Sequence, residues 1–476
     1  MMKRTKIVCT IGPASDKKTT LKRLIKSGMN VVRLNFSHNV HAYHLKVIKS
    51  VRALAKEMKT PIAVLQDLQG PRIRLGNLPE QGIELRRGQK IALTTSKVLR
   101  GNIPVTYKKM HVDVKAGQRI LIADGLIELR AEAIRGREIY CTVVNGGKIS
   151  SHKGINLPDS AVSVPAVSEK DREDLAFGVR SGVDYVALSF VRSAADVQNL
   201  RDLIKANEKK FKIKGAAPLK IIVKIERREA IEHIDEIIAA ADGVMVARGD
   251  LGIELPAEDV PILQKNIVEK CLAAGKPVIV ATQMLESMIV NPRPTRAEVS
   301  DVANAVIDHA DAVMLSGETA GGKFPVEAVT YMAKTAAATE ASVYDDLVFK
   351  DKIEKYAPSG EAFGSVARAL AENVKANAIL VFTLSGQTAR IASRFRPELP
   401  IYAACVDERV ARQLTLTWGA RPFLLPKCKT TVELVKKGLG YLQKNKLVRR
   451  GDKVVVIVGT KVGKGGGANV VEVKTI

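Results

Sequence analysis

Eight short apolar runs, most of them separated by helical periodicity, restrict this chain to very few folds. The runs are Lys6–Thr10, Val31–Leu34, Ala63–Gln66, Tyr185–Ser189, Ile221–Ile225, Gly243–Val246, Val278–Ala281 and Ala312–Leu315, and all read as short buried strands. Between them apolar residues recur at helical spacing, as at Leu45, Ile48, Val51 and Leu54, or Val197, Leu200, Leu203 and Ile204. Short parallel strands alternating with helices eight times predict an α/β fold, the closed (β/α)8 TIM barrel.

The stretch from Ile221 to Gly252 is the densest part of the pattern. It reads strand, helix, strand, with Ile231, Ile234, Ile237 and Ile238 marking the helix. The strands end in charge: Lys224 and Glu226 after the first, Arg248 and Asp250 after the second. Ligands of parallel sheets sit beyond the carboxyl ends of the strands. Two carboxylates and a lysine delivered there can hold a divalent cation and an anionic substrate together. They can equally be ion-paired strand ends lining a barrel mouth. Other runs end the same way, in Arg33, Asn35 and Ser37, in Asp67, in Thr282 and Gln283, and in Ser316 and Glu318, which makes the mouth the expected active site.

With 476 residues the chain has room for about three domains. The periodicity breaks after the third run, and residues 71–165 read as short alternating strands, a β lid domain inserted into a barrel of residues 1–70 and 166–343. A lid there can exclude water. Residues 344–476 read as a C-terminal α/β domain of about five strands. Within it Thr383–Thr388 leads from a strand into a helix, and Gly459–Gly467 is a basic glycine-rich loop. Each is a plain turn by default; together they suit a sugar-phosphate effector.

Five scattered cysteines without a C-x-x-C pair fit a reducing compartment. No run is long enough for a signal peptide or a bilayer span, so the expectation is a cytoplasmic protein without a membrane partner. The formal charge of +25 attracts polyanions, but aromatics make up only 4% and none interleave with the basic stretches to stack bases. A solvated basic surface is the expectation, and no nucleic-acid partner.

Residues 5–14 (TKIVCTIGPA), 30–38 (NVVRLNFSH), 153–158 (KGINLP), 223–226 (VKIE), 247–252 (ARGDLG), 281–288 (ATQMLESM) and 315–320 (LSGETA) closely resemble pyruvate kinases, in order and over nearly the whole chain. The resemblance implies the last step of glycolysis, phosphoryl transfer from phosphoenolpyruvate to ADP giving pyruvate and ATP. It implies that Glu226 and Asp250 hold Mg²⁺ (or Mn²⁺) and that Arg33 and Lys224 flank the transferring group. Gly249, Asp250 and Thr282 then receive the substrate carboxylate, with Thr282 or a water near it and Ser316 protonating the enolate. Asn35, His38, Arg74 and Lys153 match positions near the nucleotide. The family is usually a homotetramer, and residues 291–296 match a segment used at its interface.

One departure stands out. Relatives that use K⁺ carry Thr-Lys-Gly-Pro-Glu after the third-strand aspartate; here residues 67–72 read DLQGPR, with Arg72 in place of the glutamate. The K⁺ ligands implied by the resemblance, Asn35, Ser37, Asp67 and Leu68, remain. The expectation is that the Arg72 guanidinium supplies the charge and K⁺ is not required. The C-terminal loop also lacks the tryptophan of many relatives activated by fructose 1,6-bisphosphate. An effector at 383–390 and 459–467 could therefore be AMP or a sugar monophosphate, or none. Two other classes fit part of the pattern: a barrel lyase or aldolase acting on pyruvate or oxaloacetate, and a basic regulatory protein with an inactive barrel.

Overall fold

In the computed structural model, which describes residues 3–96, 101–213, 217–346, 362–459 and 469–476, all eight expected strands close into one parallel barrel. They are β1 (Lys6–Thr10), β2 (Val31–Asn35), β3 (Ala63–Asp67), β4 (Tyr185–Leu188), β5 (Lys220–Ile225), β6 (Gly243–Ala247), β7 (Val278–Ala281) and β8 (Ala312–Leu315). The barrel closes by pairing β1 with β8, from Lys6 opposite Ala312 to Cys9 opposite Leu315. One expected helix divides: the isoleucine pattern between β5 and β6 forms Arg228–Glu232 and Ile234–Ala240, parted at His233.

Strand side chains alternate between faces, so every second residue enters the barrel. The inner cluster includes Val8, Val31, Leu65, Ala187, Ile222 and Met314. Two residues further along each of these strands stand Thr10, Arg33, Asp67, Ser189, Lys224 and Ser316. The same parity that buries the apolar layers thus delivers polar groups to the carboxyl rim.

The opposite rim is built from a repeat. One residue before β2, β4, β6 and β8 stand Asn30, Asp184, Asp242 and Asp311. Each side chain accepts a backbone N–H from the preceding odd strand: from Ile7 at 3.0 Å, Val64 at 2.8 Å, Ile221 at 3.0 Å and Val278 at 3.2 Å. The strand ends are sewn together in pairs.

Between β3 and β4 lies the second sheet system, a seven-stranded sheet running from Ile73–Arg74 to Gly154–Asn156 around its own core of Leu75, Leu93, Ile120, Leu129 and Ile139. Its longest hairpin, Ile127–Arg135 with Glu138–Asn145, turns through Gly136 at φ +58°. Among the described residues its helix content is one short turn, Met110–Asp113.

The C-terminal sheet contains β9 (Ala378–Phe382), β10 (Ile401–Cys405), β11 (Ala420–Leu424), β12 (Lys453–Val458) and β13 (Val470–Thr475) in the order β11-β10-β9-β12-β13, with β13 antiparallel. Its segment Gln413–Trp418 seals the barrel floor: Leu416 is fully buried in the barrel's inner cluster, and Tyr185 donates its hydroxyl proton to the Gln413 carbonyl at 2.6 Å.

Candidate active site

At the carboxyl rim, strand parity brings Arg33, Asp67, Lys224 and Glu226 into one buried set. Arg33 donates from Nε to Asp67 Oδ2 at 2.7 Å and from Nη1 to Thr10 Oγ1 at 2.8 Å. Lys224 Nζ donates to Ser189 Oγ at 3.0 Å and faces Glu226 Oε1 at 2.7 Å and Asp67 Oδ1 at 3.5 Å. Ser189 in turn donates to the Leu68 carbonyl at 2.8 Å. Glu226 Oε2 accepts from the Phe190 N–H at 2.7 Å. Asp67 Oδ1 and Glu226 Oε1 are buried, and among the described residues the Lys224 ammonium is the one group that meets both.

The electrostatics of the set are lopsided. Burial pushes Asp67 up, but Lys224 and Arg33, with a smaller contribution from Arg72, outweigh it and hold the carboxyl below its usual range. Burial lowers Lys224, yet Asp67, Glu226 and Asp250 together hold its ammonium above the ordinary value. Glu226 is pushed up to about 7 by burial, with Asp250 adding to the rise against the pull of Lys224. The single ammonium of Lys224 is shared between Glu226 and Asp67, so that with Asp250 three carboxylates face the two buried cations Arg33 and Lys224. That fits a divalent cation. Among the described residues no group of three or more His, Cys, Asp and Glu could hold a metal, so Glu226 and Asp250 would supply two ligands and leave the rest to substrate and water, as Mg²⁺ prefers.

Asp250 and Gly249 sit in the first turn of the short helix Arg248–Glu254 that follows β6. The Gly249 N–H donates to Thr282 Oγ1 at 2.8 Å, and Thr282 donates to the Ala281 carbonyl at 2.6 Å. Thr282 has φ +67° and Gln283 φ +54°, a left-handed pair that costs a β-branched residue free energy and presents its hydroxyl at the rim. What holds it there is Arg248. That guanidinium donates to the Thr282 carbonyl at 2.8 Å and makes a two-pronged pair with Asp301 at 2.6 and 2.7 Å.

The other sequence candidates lie further out. Ser316 donates its N–H to Glu318 Oε2 at 2.7 Å, and its hydroxyl has no hydrogen-bond partner among the described residues. Asn35 Oδ1 accepts from the Ser37 N–H at 3.0 Å, and Asn35 lies opposite Asp67 in the β2–β3 register. His38 is exposed, and Leu68 is buried. Arg72 is exposed, its backbone N–H turned to the Gly70 carbonyl. Arg74 and Lys153 meet at the base of the lid: the Leu75 N–H bonds the Lys153 carbonyl at 2.9 Å, and Arg74 donates to the His152 carbonyl at 2.8 Å. Residues 383–390 form the turn into the helix Gln387–Arg394, with the Gly386 N–H bonded to Thr383 Oγ1 at 2.9 Å. Of the glycine-rich loop 459–467, expected to take an effector, 460–467 fall outside the described residues.

Sequence reasoning missed Thr10, Ser189 and Arg248 as parts of this site. It treated Asp67 as a monovalent-ion ligand, and the structure also sets that carboxylate between Arg33 and Lys224. Parity carried the signal for three of them, since Thr10, Asp67 and Ser189 occupy inward positions at the ends of β1 and β3 and just beyond β4.

The family model for the pyruvate kinase barrel domain matches residues 2–329, and that for the pyruvate kinase alpha/beta domain matches residues 361–474. A pyruvate kinase of Sporosarcina psychrophila is 45% identical over 481 aligned positions, covering 100% of this chain and 81% of the relative. A pyruvate kinase of Clostridium acetobutylicum is 41% identical, with 100% of both chains covered. A crystal structure of a pyruvate kinase from Cryptosporidium parvum superimposes with a TM-score of 0.93 at 38% identity, over 99% of this chain and 96% of the other. Family models that span nearly the whole sequence, and relatives aligned along all of it, make this chain a member of the pyruvate kinase family of phosphotransferases.

Proposed function

We propose that the buried mouth of the barrel carries out this family's reaction, phosphoryl transfer between phosphoenolpyruvate and ADP, through the residues just described. The observation that carries the reading is the convergence of Arg33 and Lys224 on Asp67, with Glu226 drawing on the same Lys224 ammonium at 2.7 Å. A migrating phosphoryl group needs positioning and neutralised charge more than covalent help. Arg33 and Lys224, fixed by Asp67, Thr10 and Ser189, are aimed and need little reorganisation when an anion arrives. Glu226 and Asp250 would hold a Mg²⁺, which would supply further positive charge for the migrating group.

The substrate carboxylate takes the place of Thr282 Oγ1 as acceptor of the Gly249 N–H, with the Asp250 N–H beside it. The enol-phosphate P–O bond breaks as a terminal ADP oxygen bonds to phosphorus. The enolate left behind takes a proton at carbon, supplied by Thr282 or a water near it and Ser316. Lys224 stays protonated throughout, which its two carboxylate neighbours favour. Arg74 and Lys153 at the base of the lid, with Asn35 and His38 on the β2 side, face the nucleotide. The division into a barrel of residues 1–70 and 166–343, a lid of 71–165 and a regulatory domain of 344–476, assembled as a homotetramer, belongs to the same reading. So does the absence of a K⁺ requirement: the Arg72 charge already acts on Asp67 from the place of the family's glutamate. AMP or a sugar phosphate at 383–390 remains the candidate effector.

Pyruvate release measured with and without ADP, in tetramethylammonium buffer free of Na⁺ and K⁺, tests the whole reading. Pyruvate should form only with ADP present, and added K⁺ should change the rate by less than about twofold, since the charge is built in. ADP-independent release would favour a lyase, and strong activation by K⁺ would remove the role given to Arg72.

A further inference from the structure

The helix that carries Gly249 and Asp250 has a second end, and the lid rests on it. Helix Arg248–Glu254 ends at Glu254, which is only 4% exposed. Its Oε1 accepts from the Asn156 side-chain amide at 3.4 Å, and Asn156 closes the lid strand Gly154–Asn156. One residue earlier, Ile253 faces the lid's Gly125, where a Cβ would lie 3.6 Å from the isoleucine methyl.

Charges on the two sides of this seam are complementary. On the lid, Arg119 and Asp159 are paired at 2.8 Å. On the barrel, Arg227 Nε lies 3.3 Å from Glu229 and 3.9 Å from Glu254. Arg119 is raised first by its bond to Asp159 and at longer range by Glu254, while Asp159 is lowered first by Arg119 and at longer range by Arg228. Each lid charge therefore faces an opposite charge on the barrel. Glu254 Oε2 is buried and accepts no hydrogen bond among the described residues, so the carboxylate has capacity beyond its present contacts.

A seven-residue helix is about 10 Å long and moves as one piece. We infer that Glu254 is a positioning residue: it receives the lid through Asn156 and passes the lid's position, along the helix, to Gly249 and Asp250. The reading rests on the function proposed above, because it assigns the mouth to the two substrates and the lid to the nucleotide. Its consequence is that Asp250 is best placed when the lid is down over ADP.

The test is a double-mutant cycle on the full-length enzyme with Asn156→Ala and Glu254→Ala, joined by hydrogen exchange on the ligand-free protein. Asn156→Ala should lower kcat/KM for ADP about fivefold, as expected for a long hydrogen bond to a charged group, with KM for phosphoenolpyruvate within twofold. The double variant should lose clearly less than the product of the two single losses. Hydrogen exchange should quicken together in 154–156 and 248–254 and stay unchanged in β2. Glu254→Gln, which keeps the acceptor oxygen, should retain more activity than Glu254→Ala. Should Glu254→Ala fail to fold, the kinetics and the hydrogen exchange of the Asn156 variant still decide. Multiplicative losses, or faster exchange confined to the lid, would overturn the inference while leaving the proposed reaction standing. A parental enzyme with no ADP-dependent turnover would instead remove the reaction on which it rests.

Discussion

The two rims of the barrel are both lined with buried charge, and they are finished differently. On the floor, Asp184 accepts from Val64, Arg52 and Arg412, each at 2.8 Å. Asp311 accepts from Val278, Trp418 and Arg396, and Asp242 from Ile221, Lys220 and Arg201. Every one of these carboxylates has three donors. At the mouth, Asp67 Oδ1 and Glu226 Oε1 are met only by the one ammonium of Lys224, at 3.5 and 2.7 Å, and Thr282 sits in a costly backbone conformation. Saturated carboxylates hold a structure together, and incompletely bonded ones are available to a ligand. The barrel thus keeps its stability at one end and its reactivity at the other.

The contrast can be broken most forcefully at the mouth. Lys224→Met should lower kcat/KM by about a thousandfold or more, the usual scale for losing a preorganised charge at a transition state. The protein should still fold at neutral pH, because Glu226, already pushed up to about 7, can take a proton in place of its lost partner. Parental turnover in steady-state kinetics would remove Lys224 from the chemistry.

On the floor the outcome should invert. Asp184→Ala leaves Arg52 and Arg412 without their shared carboxylate and should cost about 3–5 kcal/mol in denaturant unfolding, as breaking a buried ion pair does. The kcat of the folded fraction should be unchanged. A loss of kcat without a loss of stability would erase the division between the rims.

A smaller effect sharpens the comparison through pH. His309, beside the floor, is lowered to about 4 by burial, with Arg396 and Arg368 adding to the shift. Its folded value lies below the unfolded value near 6.5, so the fold favours the neutral ring. That contribution is complete above pH 6.5 and is lost as the pH falls toward 4. Asp345, pushed up to about 7 by burial against the pull of Arg4, has the opposite slope, so the useful quantity is the difference between variant and parent. Between pH 7.5 and 5, His309→Gln should lose on the order of 2 kcal/mol less than the parent in urea unfolding. Parallel stability curves would show that His309 does not titrate differently on folding.

The barrel was readable in the sequence because eight buried strands leave a periodic trace, and their ends fell within one residue of expectation. The site was readable to the extent that strand parity carries it: Arg33, Asp67, Lys224 and Glu226 follow from counting in twos. Arg248 was not, since its partner Asp301 lies 53 residues away and only packing brings the two together. Glu254 reads as an ordinary helix-end carboxylate until the lid is set on it. The floor was legible and overlooked: Asn30, Asp184, Asp242 and Asp311 stand one residue before alternate strands, a period of one strand pair that residue-level patterns do not register. The break at His233 left no mark, because the isoleucine spacing runs through it unchanged.

Leu416 carries a consequence for how this molecule is made. The side chain that fills the bottom of the barrel lies about a hundred residues beyond the last barrel strand, and Lys6 at the opening of β1 reaches across 414 positions to the Ala420 carbonyl. A nascent barrel emerging from the ribosome is therefore uncorked. It must wait for its stopper to be translated, holding an apolar hole open meanwhile, and contacts that bridge so much chain form slowly.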